Sequence, residues 1–266
     1  INTNLAIAAE ATGVALAVGS QRVMFEDRAA RTSFELRKFA PKTLLLANLG
    51  AAQLNYGFTL EHCEEALAVL DGDGLVLHLN PLQEAIQPEG TTNFGGLAAK
   101  IGKLAGELKK PIILKEVGCG ISPTDVNLLI KCGILHIDVA GSGGTSWSRI
   151  EHQRQTDGIS SDLGLKFQDW GIPTPVALGV LASMSDRVSL IASGGLRSGI
   201  DMVKAIVLGA SLCGVAAPFL RPAMTSAEEV IREIEEIKRE FVTAMFLLGA
   251  RDVSQIFRNR SLLLDY

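Results

Sequence analysis

The stretch LVLHLNPLQE, residues 75–84, decides the fold of this chain. Four of its first five residues are leucine or valine, which is typical of a β-strand buried on both faces. The same stretch brings His78, Asn80, Gln83 and Glu84 together within seven residues. In an α/β barrel the exits of the strands build the active site, so we expect substrate to bind here. A polar turn that ends the strand and leads into a helix is the alternative.

The composition is that of a globular protein: of 266 residues, 47% are hydrophobic, 20% are charged and 27 are glycine. This length suits one large α/β domain. Because no linker rich in Pro, Gly or Ser divides the chain, we expect a single domain over residues 1–266. The net charge of −4 leaves no basic stripe for phosphates, so nucleic acid is not an expected partner.

Cysteine usage and hydropathy indicate the compartment. The four cysteines (Cys63, Cys119, Cys132 and Cys213) show neither CxxC pairing nor the spacing of a zinc site, so we expect free thiols in a reducing environment. No apolar run approaches the roughly 18 to 20 residues of a membrane-spanning helix. We therefore expect a cytoplasmic protein with no membrane partner, although the sequence begins at Ile1 and an N-terminal segment could be absent.

Short apolar runs alternate with helical patterns along the whole chain. Besides the strand that begins at residue 75, strands are expected at 14–18, 44–47, 111–117, 134–140, 188–192 and 212–216. Such alternation predicts right-handed βαβ units and a parallel sheet. A closed (β/α)8 TIM barrel needs eight strands, and this chain opens on a helical pattern over residues 2–12. We therefore expect that the first strand is missing and precedes Ile1. An open doubly wound sheet is the alternative.

Two glycine-containing strand exits near the C-terminus indicate a phosphate site. SGGLRSG, residues 193–199, is followed by GVAAP, residues 214–218. Gly194 and Gly195 would let backbone N–H groups approach a phosphate, and a helix starting at Ser198 would point its positive end at it. Arg197 would add a charge-assisted bond. Glycines that only make tight turns are the alternative.

Lys115 ends a predicted buried strand, where a lysine is costly unless it meets an anion. Against a bound flavin it would stabilise the negative charge of the reduced ring. Pairing with its neighbour Glu116 is the alternative. Asn48 and Ser20, at two other strand exits, are neutral groups suited to bonding the edge of a heterocycle.

Two charged residues predict a diphosphate ligand with magnesium. Arg22, at the end of GSQR, is a candidate clamp for an anionic group. Glu84 is a lone carboxylate, and magnesium is often held by one or two carboxylates together with substrate phosphates. A surface or helix-N-terminal role is the alternative for Glu84. For His78, a role in the site and a role as a core histidine are equally expected. For His136, we expect a core histidine.

The motifs taken as a set are similar to those of the type 2 isopentenyl-diphosphate isomerases. They are GSQR at 19–22, ANLGAAQL at 47–54, HLNPLQEAIQPEG at 78–90, KEVGCGIS at 115–122, DVAGSGGTSW at 138–147 and SGGLRSGIDMVKAI at 193–206. The resemblance implies an FMN-dependent barrel that interconverts isopentenyl and dimethylallyl diphosphate. It also implies Mg²⁺, NADPH as the reductant of the flavin, and a homo-oligomer.

The resemblance implies site residues position by position. The FMN contacts would be Ser20, Asn48, Lys115, Thr145, Gly195, Arg197, Ala216 and Ala217, with Gly194 beside them. The substrate contacts would be Ser20, Gln21, Arg22 and Gln83, and the magnesium ligand Glu84. We take Lys115, Gln83 and His78 as the catalytic side chains beside the flavin. A basic N-terminal segment and a first strand ending in Met-Thr-Gly-Gly are absent here, and Ala217 stands where the family often has arginine.

Two other functions are compatible with the same barrel. An FMN-dependent oxidoreductase is the first, because a fold does not fix a function. The exit GSGGTSW, residues 141–147, argues against it, since it has neither a catalytic cysteine nor a His-Gly-Gly motif. A flavin-binding protein without turnover is the second.

Overall fold

Seven parallel strands form one sheet in the structure, a computed structural model that describes residues 1–154 and 162–264. The strands are β1 (Leu16–Ala17), β2 (Leu45–Gly50), β3 (Gly74–Leu79), β4 (Ile112–Glu116), β5 (His136–Asp138), β6 (Ser189–Ala192) and β7 (Leu212–Cys213). Each of the seven predicted strands is confirmed, with ends that shift by a few residues.

The order of the strands in the sheet identifies the architecture. It runs from β1 to β7 without a break, and every neighbouring pair is parallel. A doubly wound sheet reverses its strand order at a switch point, so that alternative is wrong. A sheet whose strands follow chain order is the wall of a (β/α)8 barrel. Among the described residues, β1 and β7 each pair with one strand only, and the eighth strand stays a prediction.

Helices connect the strands and cover the outside of the sheet. They are α1 (Asn2–Thr12), α2 (Val23–Glu26), α3 (Leu60–Leu70), α4 (Pro81–Ile86), α5 (Leu97–Glu107), α6 (Pro123–Lys131), α7 (Trp147–Arg154), α8 (Leu163–Lys166), α9 (Thr174–Leu181), α10 (Gly199–Val207), α11 (Ala217–Thr225) and α12 (Ala227–Leu247). Short 3₁₀ turns occupy Arg28–Phe34, Ala51–Asn55, Ala182–Met184, Val253–Gln255 and Arg260–Leu262. No helix in the described part of the chain is long and apolar enough to cross a membrane.

Local sequence explains where these helices begin and end. The hydroxyl of Ser122 accepts the Asp125 N–H at the start of α6, and Pro123 occupies the first turn. Helix α1 ends at Gly13, which has a φ of 71°. The sequence did not predict α11, because Pro222 lies inside it and proline normally breaks a helix.

The core lies between the sheet and its helices. Leu75, Leu77 and Leu114 are almost completely buried there, and each such side chain contributes about 1.5–3 kcal/mol relative to an exposed one. A smaller apolar cluster joins α1, α11 and α12, with Val230 and Ile234 of α12 at its centre. Packing of the two ends of the chain against one another therefore closes the outer layer on this side.

The register of the sheet sets one row of residues at the exits of the strands. Gly50 is opposite His78, His78 is opposite Lys115, and Lys115 is opposite Asp138. Partners in a parallel register point to the same face of the sheet. The apolar strands thus bring a histidine, a lysine and an aspartate side by side at the mouth of the barrel.

Candidate active site

The exit of β3 carries a hydrogen-bonded cluster of amides and carboxylates. The amide nitrogen of Asn80 donates to Glu84 Oε1 at 2.8 Å and to Gln83 Oε1 at 3.2 Å. Asn80 and Glu84 are each 5% exposed. Pro81 starts α4, which aligns these side chains because positions three and four apart share a helix face. The alternative that Glu84 is a surface residue is therefore wrong, whereas its position in the first turn of α4 agrees with the alternative of a helix-N-terminal charge.

The carboxylate of Glu84 already accepts several hydrogen bonds. Its Oε2 accepts the Thr91 N–H at 2.6 Å, the Thr91 hydroxyl at 2.9 Å and the amide of Gln87 at 3.3 Å. No group of three or more His, Cys, Asp or Glu in the described ranges could hold a metal. Glu84 is thus a single carboxylate that its neighbours hold in one orientation, and of the described residues only Asn80 donates to its Oε1.

Glu151, which the sequence did not single out, contacts the predicted site residue Gln83. Its Oε1 accepts the amide of Gln83 at 2.8 Å, although the two residues are 68 positions apart. Glu151 lies on α7, is 4% exposed and pairs with Arg154 at 3.1 Å. Only its position four residues after Trp147, in the motif that follows β5, would have suggested it.

His78 is held neutral beside Asn48. Its Nδ1 lies 2.8 Å from the side-chain oxygen of Asn48, so Nδ1 carries the proton in this arrangement. Burial, together with the positive charge of Lys115, lowers the pKa of His78 to about 4, against the opposing charge of Glu84. The unprotonated Nε2 lies beside Gly50, where an added Cβ would be 3.2 Å away.

Gln21 lies behind the site and not in it. It is completely buried, its amide donates to the carbonyl of Ala66 at 2.9 Å, and its Oε1 accepts the Asn48 N–H at 3.0 Å. The Gln21 N–H in turn donates to the Asn48 carbonyl at 2.8 Å. A side chain buried to this extent presents no surface to a substrate, in contrast to the half-buried Gln83.

The two neighbours of Gln21 are accessible. Ser20 is exposed at the exit of β1. The guanidinium of Arg22 pairs with Glu26 at 2.7 Å, and about two fifths of its side chain is exposed. An exposed ion pair of this kind contributes little to stability, so Arg22 can exchange Glu26 for an incoming anion.

Lys115 has a partner that the sequence did not predict. Its ammonium lies 2.9 Å from Asp138 Oδ2 and donates to the Ser193 hydroxyl at 2.8 Å. Glu116 points elsewhere: its Oε2 accepts the N–H groups of Val117 and Gly118 at 2.7 and 2.8 Å. The alternative that Lys115 pairs with Glu116 is therefore wrong.

The glycines after β6 have a structural task besides any phosphate contact. Gly194 and Gly195 have φ angles of 91° and 86°. An added Cβ would come within 2.2 Å of the Gly141 carbonyl oxygen at Gly194, and within 2.6 Å of the Gly143 carbonyl carbon at Gly195. The exits of β5 and β6 therefore touch backbone to backbone, which only glycine permits.

The residues predicted to bind a phosphate lie around this backbone contact. One expectation changes, because the start of α10 is less available to an anion than predicted. The amide of Gly199 at the start of α10 donates to Glu240 at 2.7 Å, so part of this helix terminus is already satisfied. Helix α11 begins at the exposed residues Ala216 and Ala217, and no described side chain caps it. Arg197 is exposed, and its guanidinium donates to the Gly195 carbonyl at 3.3 Å. The terminus of α11 is thus the freer anion site.

A cavity of about 540 Å³ opens between the exits of β3, β4 and β5. Of the predicted residues, Gln83 and Thr145 line it, together with Asn80, Glu116 and Trp147. The remaining predicted FMN residues lie around the open mouth of the barrel. The structure thus places the predicted residues at one end of the sheet, with the side chain of Gln21 fully buried there.

Comparison with solved structures agrees with this architecture. Mandelate oxidase in complex with benzaldehyde aligns with a TM-score of 0.64 over 97% of this chain and 72% of that chain. Mandelate oxidase with benzoyl-formic acid aligns with a TM-score of 0.65 over the same shares. Both are 19% identical to this chain, a level at which the likeness shows the fold alone.

Sequence comparison identifies the class and then the family. Residues 85–263 match the profile of the FMN-dependent dehydrogenases, so the fold and site define an α/β barrel of that class. Isopentenyl-diphosphate delta-isomerase of Hydrogenovibrio crunogenus is 55% identical over 263 residues, which are 99% of this chain and 77% of the relative. The enzymes of the same name from Paracoccus zeaxanthinifaciens and Synechococcus sp. are 53% and 48% identical, over 99% and 97% of this chain and 76% and 74% of theirs. The chain belongs to the isopentenyl-diphosphate delta-isomerases.

Proposed function

We propose that this chain interconverts isopentenyl diphosphate and dimethylallyl diphosphate with reduced FMN, and that Mg²⁺ holds the diphosphate. NADPH serves only to reduce the flavin. The observation that carries the proposal is the row at the barrel mouth. A lysine suited to a flavin lies next to a neutral histidine, and the carboxylate of Glu84 is close enough to act on the charge of that histidine.

The FMN site is proposed from the donors at the mouth. Lys115 and Asn48 would contact the ring, with Ser20 and Thr145 at its edges. The phosphate would lie between the glycines after β6 and the uncapped start of α11, within reach of Arg197. Ala216 and Ala217 offer backbone N–H groups there, so an arginine at position 217 is not needed for binding.

The diphosphate site is proposed at the opposite side of the mouth. Arg22 would leave Glu26 and bind the diphosphate, because a phosphate offers the guanidinium two charged acceptors. Glu84, which Asn80 and Thr91 hold in one orientation, would hold Mg²⁺, and the ion would supply positive charge for the diphosphate. These contacts fix the substrate at its charged end and leave the alkene free to point at the flavin.

Moving the double bond requires a proton at one carbon and the loss of another from a neighbouring carbon. Reduced FMN, when bound, supplies the acid and base for this exchange. Gln83 keeps its amide oriented through Asn80 and Glu151, so it can hold the alkene end in register. His78 stays neutral near pH 7, so it serves as a hydrogen-bonding group and not as a charged acid.

Gln21 is proposed as a support for the flavin site and not as a substrate contact. It fixes both backbone polar groups of Asn48, and Asn48 in turn fixes the tautomer of His78. Substitution of Gln21 should therefore impair the flavin and histidine contacts together.

Incubation of isopentenyl diphosphate in deuterated buffer tests the proposal, with FMN, Mg²⁺ and a catalytic amount of NADPH present. The expected product is deuterium-labelled dimethylallyl diphosphate, formed without stoichiometric loss of NADPH. Consumption of NADPH or oxygen in proportion to substrate would instead make the chain an oxidoreductase. Bound, reducible FMN without any conversion would make it a flavin-binding protein.

A further inference from the structure

Three polar side chains from three consecutive strand regions meet at the mouth of the barrel. The ammonium of Lys115 contacts Asp138 at 2.9 Å and the hydroxyl of Ser193 at 2.8 Å. The same hydroxyl lies 2.8 Å from Asp138 Oδ1 and 2.9 Å from Oδ2. Each member of this triangle therefore contacts the other two.

Burying the charges of this triangle costs desolvation free energy, which is offset only when all three contacts are made. Asp138 is 6% exposed, and its Oδ1 also accepts the Ala140 N–H at 3.2 Å. A buried carboxylate or ammonium costs several kcal/mol of desolvation, which only a well-formed pair with satisfied hydrogen bonds offsets. The nearer carboxylate in the sequence, Glu116, is occupied by backbone N–H groups. Asp138 is thus the counter-charge of Lys115 in the described part of the chain.

We propose that Asp138 and Ser193 are positioning residues that fix the Lys115 ammonium and balance its charge toward the flavin. The inference rests on the proposed function, because it requires FMN above the barrel mouth. A lysine near the ring stabilises the negative charge of reduced FMN. Asp138 reduces that effect to a set level, since its carboxylate lies next to the ammonium.

The segment that begins at Ser193 connects the proposed ring site of FMN with its proposed phosphate site. Ser193 immediately precedes Gly194 and Gly195, the glycines of the proposed phosphate site. The Thr174 hydroxyl donates to the carbonyls of Ser193 and Gly194 at 2.9 and 2.6 Å, which holds this turn in place. One backbone segment therefore orients both the ring-facing ammonium and the phosphate-facing glycines.

A double-mutant cycle on the FMN-loaded protein tests the assignment, with the midpoint potential of bound FMN as the readout. Asp138→Asn keeps the shape of the side chain and removes its charge. It should raise the preference for reduced over oxidised FMN about tenfold, or about 30 mV for a two-electron couple. In a Lys115→Met background the same substitution should shift the preference in the same direction, because the charge of the carboxylate reaches the flavin whether or not the ammonium is present. The difference between the two shifts measures what Asp138 contributes by positioning Lys115.

Three results would overturn the assignment. An equal shift in both backgrounds would mean that Asp138 adds its charge but does not position Lys115, and no shift in either would mean that the triangle only stabilises the fold. A wild-type chain that bound no FMN would remove this inference together with the proposed function. Normal potentials without isomerase turnover would refute the proposed function alone.

Ser193→Ala is the second variant, in case Asp138→Asn does not fold. It retains both charges and their 2.9 Å contact and removes the bridging hydroxyl. The expected potential shift is smaller than that of Asp138→Asn, since no charge is lost. A shift as large as that of Lys115→Met would show that position alone, without charge balance, explains the triangle.

Discussion

His78 connects the burial of one side chain to the pH dependence of the whole protein. Its folded pKa, about 4, lies below the ordinary value of 6.5, so the unfolded chain binds a proton that the folded chain rejects. The contribution of His78 is present in full above pH 6.5 and is lost as the pH falls toward 4.

We therefore predict a pH-dependent loss of stability that His78→Gln reduces. The wild type should lose up to about 3 kcal/mol of unfolding free energy through this residue between pH 6.5 and 4, at about 1.4 kcal/mol per pH unit. Urea titrations at several pH values measure the slope for both proteins. Identical slopes would show that His78 is not held neutral by the fold.

Glu84→Gln tests the magnesium assignment. The substitution removes the charge that would hold Mg²⁺, so we expect the Mg²⁺ concentration for half-maximal isomerase activity to rise at least about tenfold. The new NH₂ group would also face the N–H donors of Asn80 and Thr91, so one hydrogen bond would be lost. This loss should lower the unfolding free energy by about 1–3 kcal/mol.

Thr91→Val is the matched control for that cost. It deletes the hydroxyl bond to Glu84 and leaves the carboxylate charge and the Thr91 N–H bond intact. The Mg²⁺ midpoint should stay within about twofold of the wild type. A similar rise in both variants would assign the effect to lost hydrogen bonding and not to lost metal binding.

At the scale of single residues, the sequence predicts which side chains lie at strand exits but not which of them touch. Strand ends and helix periodicity are local patterns, so Lys115 and Glu84 could be assigned to the mouth. The contact of Gln83 with Glu151 and that of Lys115 with Asp138 depend on how distant segments pack. Gln21 shows the converse, because a residue inside a family motif supports the site from behind.

The elements after β5 and β6 depend on glycine for their contact. In Gly195→Ala, the new Cβ would overlap Gly143 and the residue would keep an unfavourable φ of 86°. We expect a loss of more than about 2 kcal/mol of unfolding free energy and weaker FMN binding. Chemical denaturation and FMN fluorescence quenching measure the two effects.

Gly179→Ala provides the control within α9. A Cβ at Gly179 would meet nothing within 4 Å, and the residue has no positive φ. Alanine should therefore stabilise the protein by about 0.5–1 kcal/mol through its higher helix propensity. Equal losses in both variants would show that the loop contact is not the reason for the glycine.

Elements themselves were largely predictable, because each depends on its own periodicity and caps. Helix α1 was predicted over residues 2–12, which are its observed bounds, since Gly13 directly after it is a local stop signal. The role of the glycines after β6 was predicted only in part. A glycine pattern indicates close approach of backbone, but it does not reveal that the approaching group is another loop.

For the molecule as a whole, we expect FMN to stabilise the fold more than riboflavin does. The two ligands share a ring system, and only FMN carries the phosphate for the start of α11. Saturation at 100 times Kd corresponds to about 2.7 kcal/mol, so the melting temperature should rise by several degrees with FMN. Equal shifts for both ligands in a thermal melt would argue against the phosphate site.

The barrel class and the assembly state are predictions about the molecule as a whole. Seven strands in chain order confirm the barrel class that the alternating pattern predicts. The eighth strand and the homo-oligomer stay predictions, since neither follows from contacts within this chain. Sedimentation of the purified protein measures the assembly state directly.

The backbone contact between the loops after β5 and β6 has a consequence for protein engineering. A library that randomises Gly141, Gly144, Gly194 or Gly195 would consist mostly of misfolded members, because a Cβ at each position would come within 2.7 Å of main-chain atoms. Positions 20, 22 and 83 adjoin the proposed diphosphate site without such a constraint. Efforts to retarget this barrel to other diphosphates should therefore diversify the exits of β1 and β3 and keep the two glycine loops as a fixed frame.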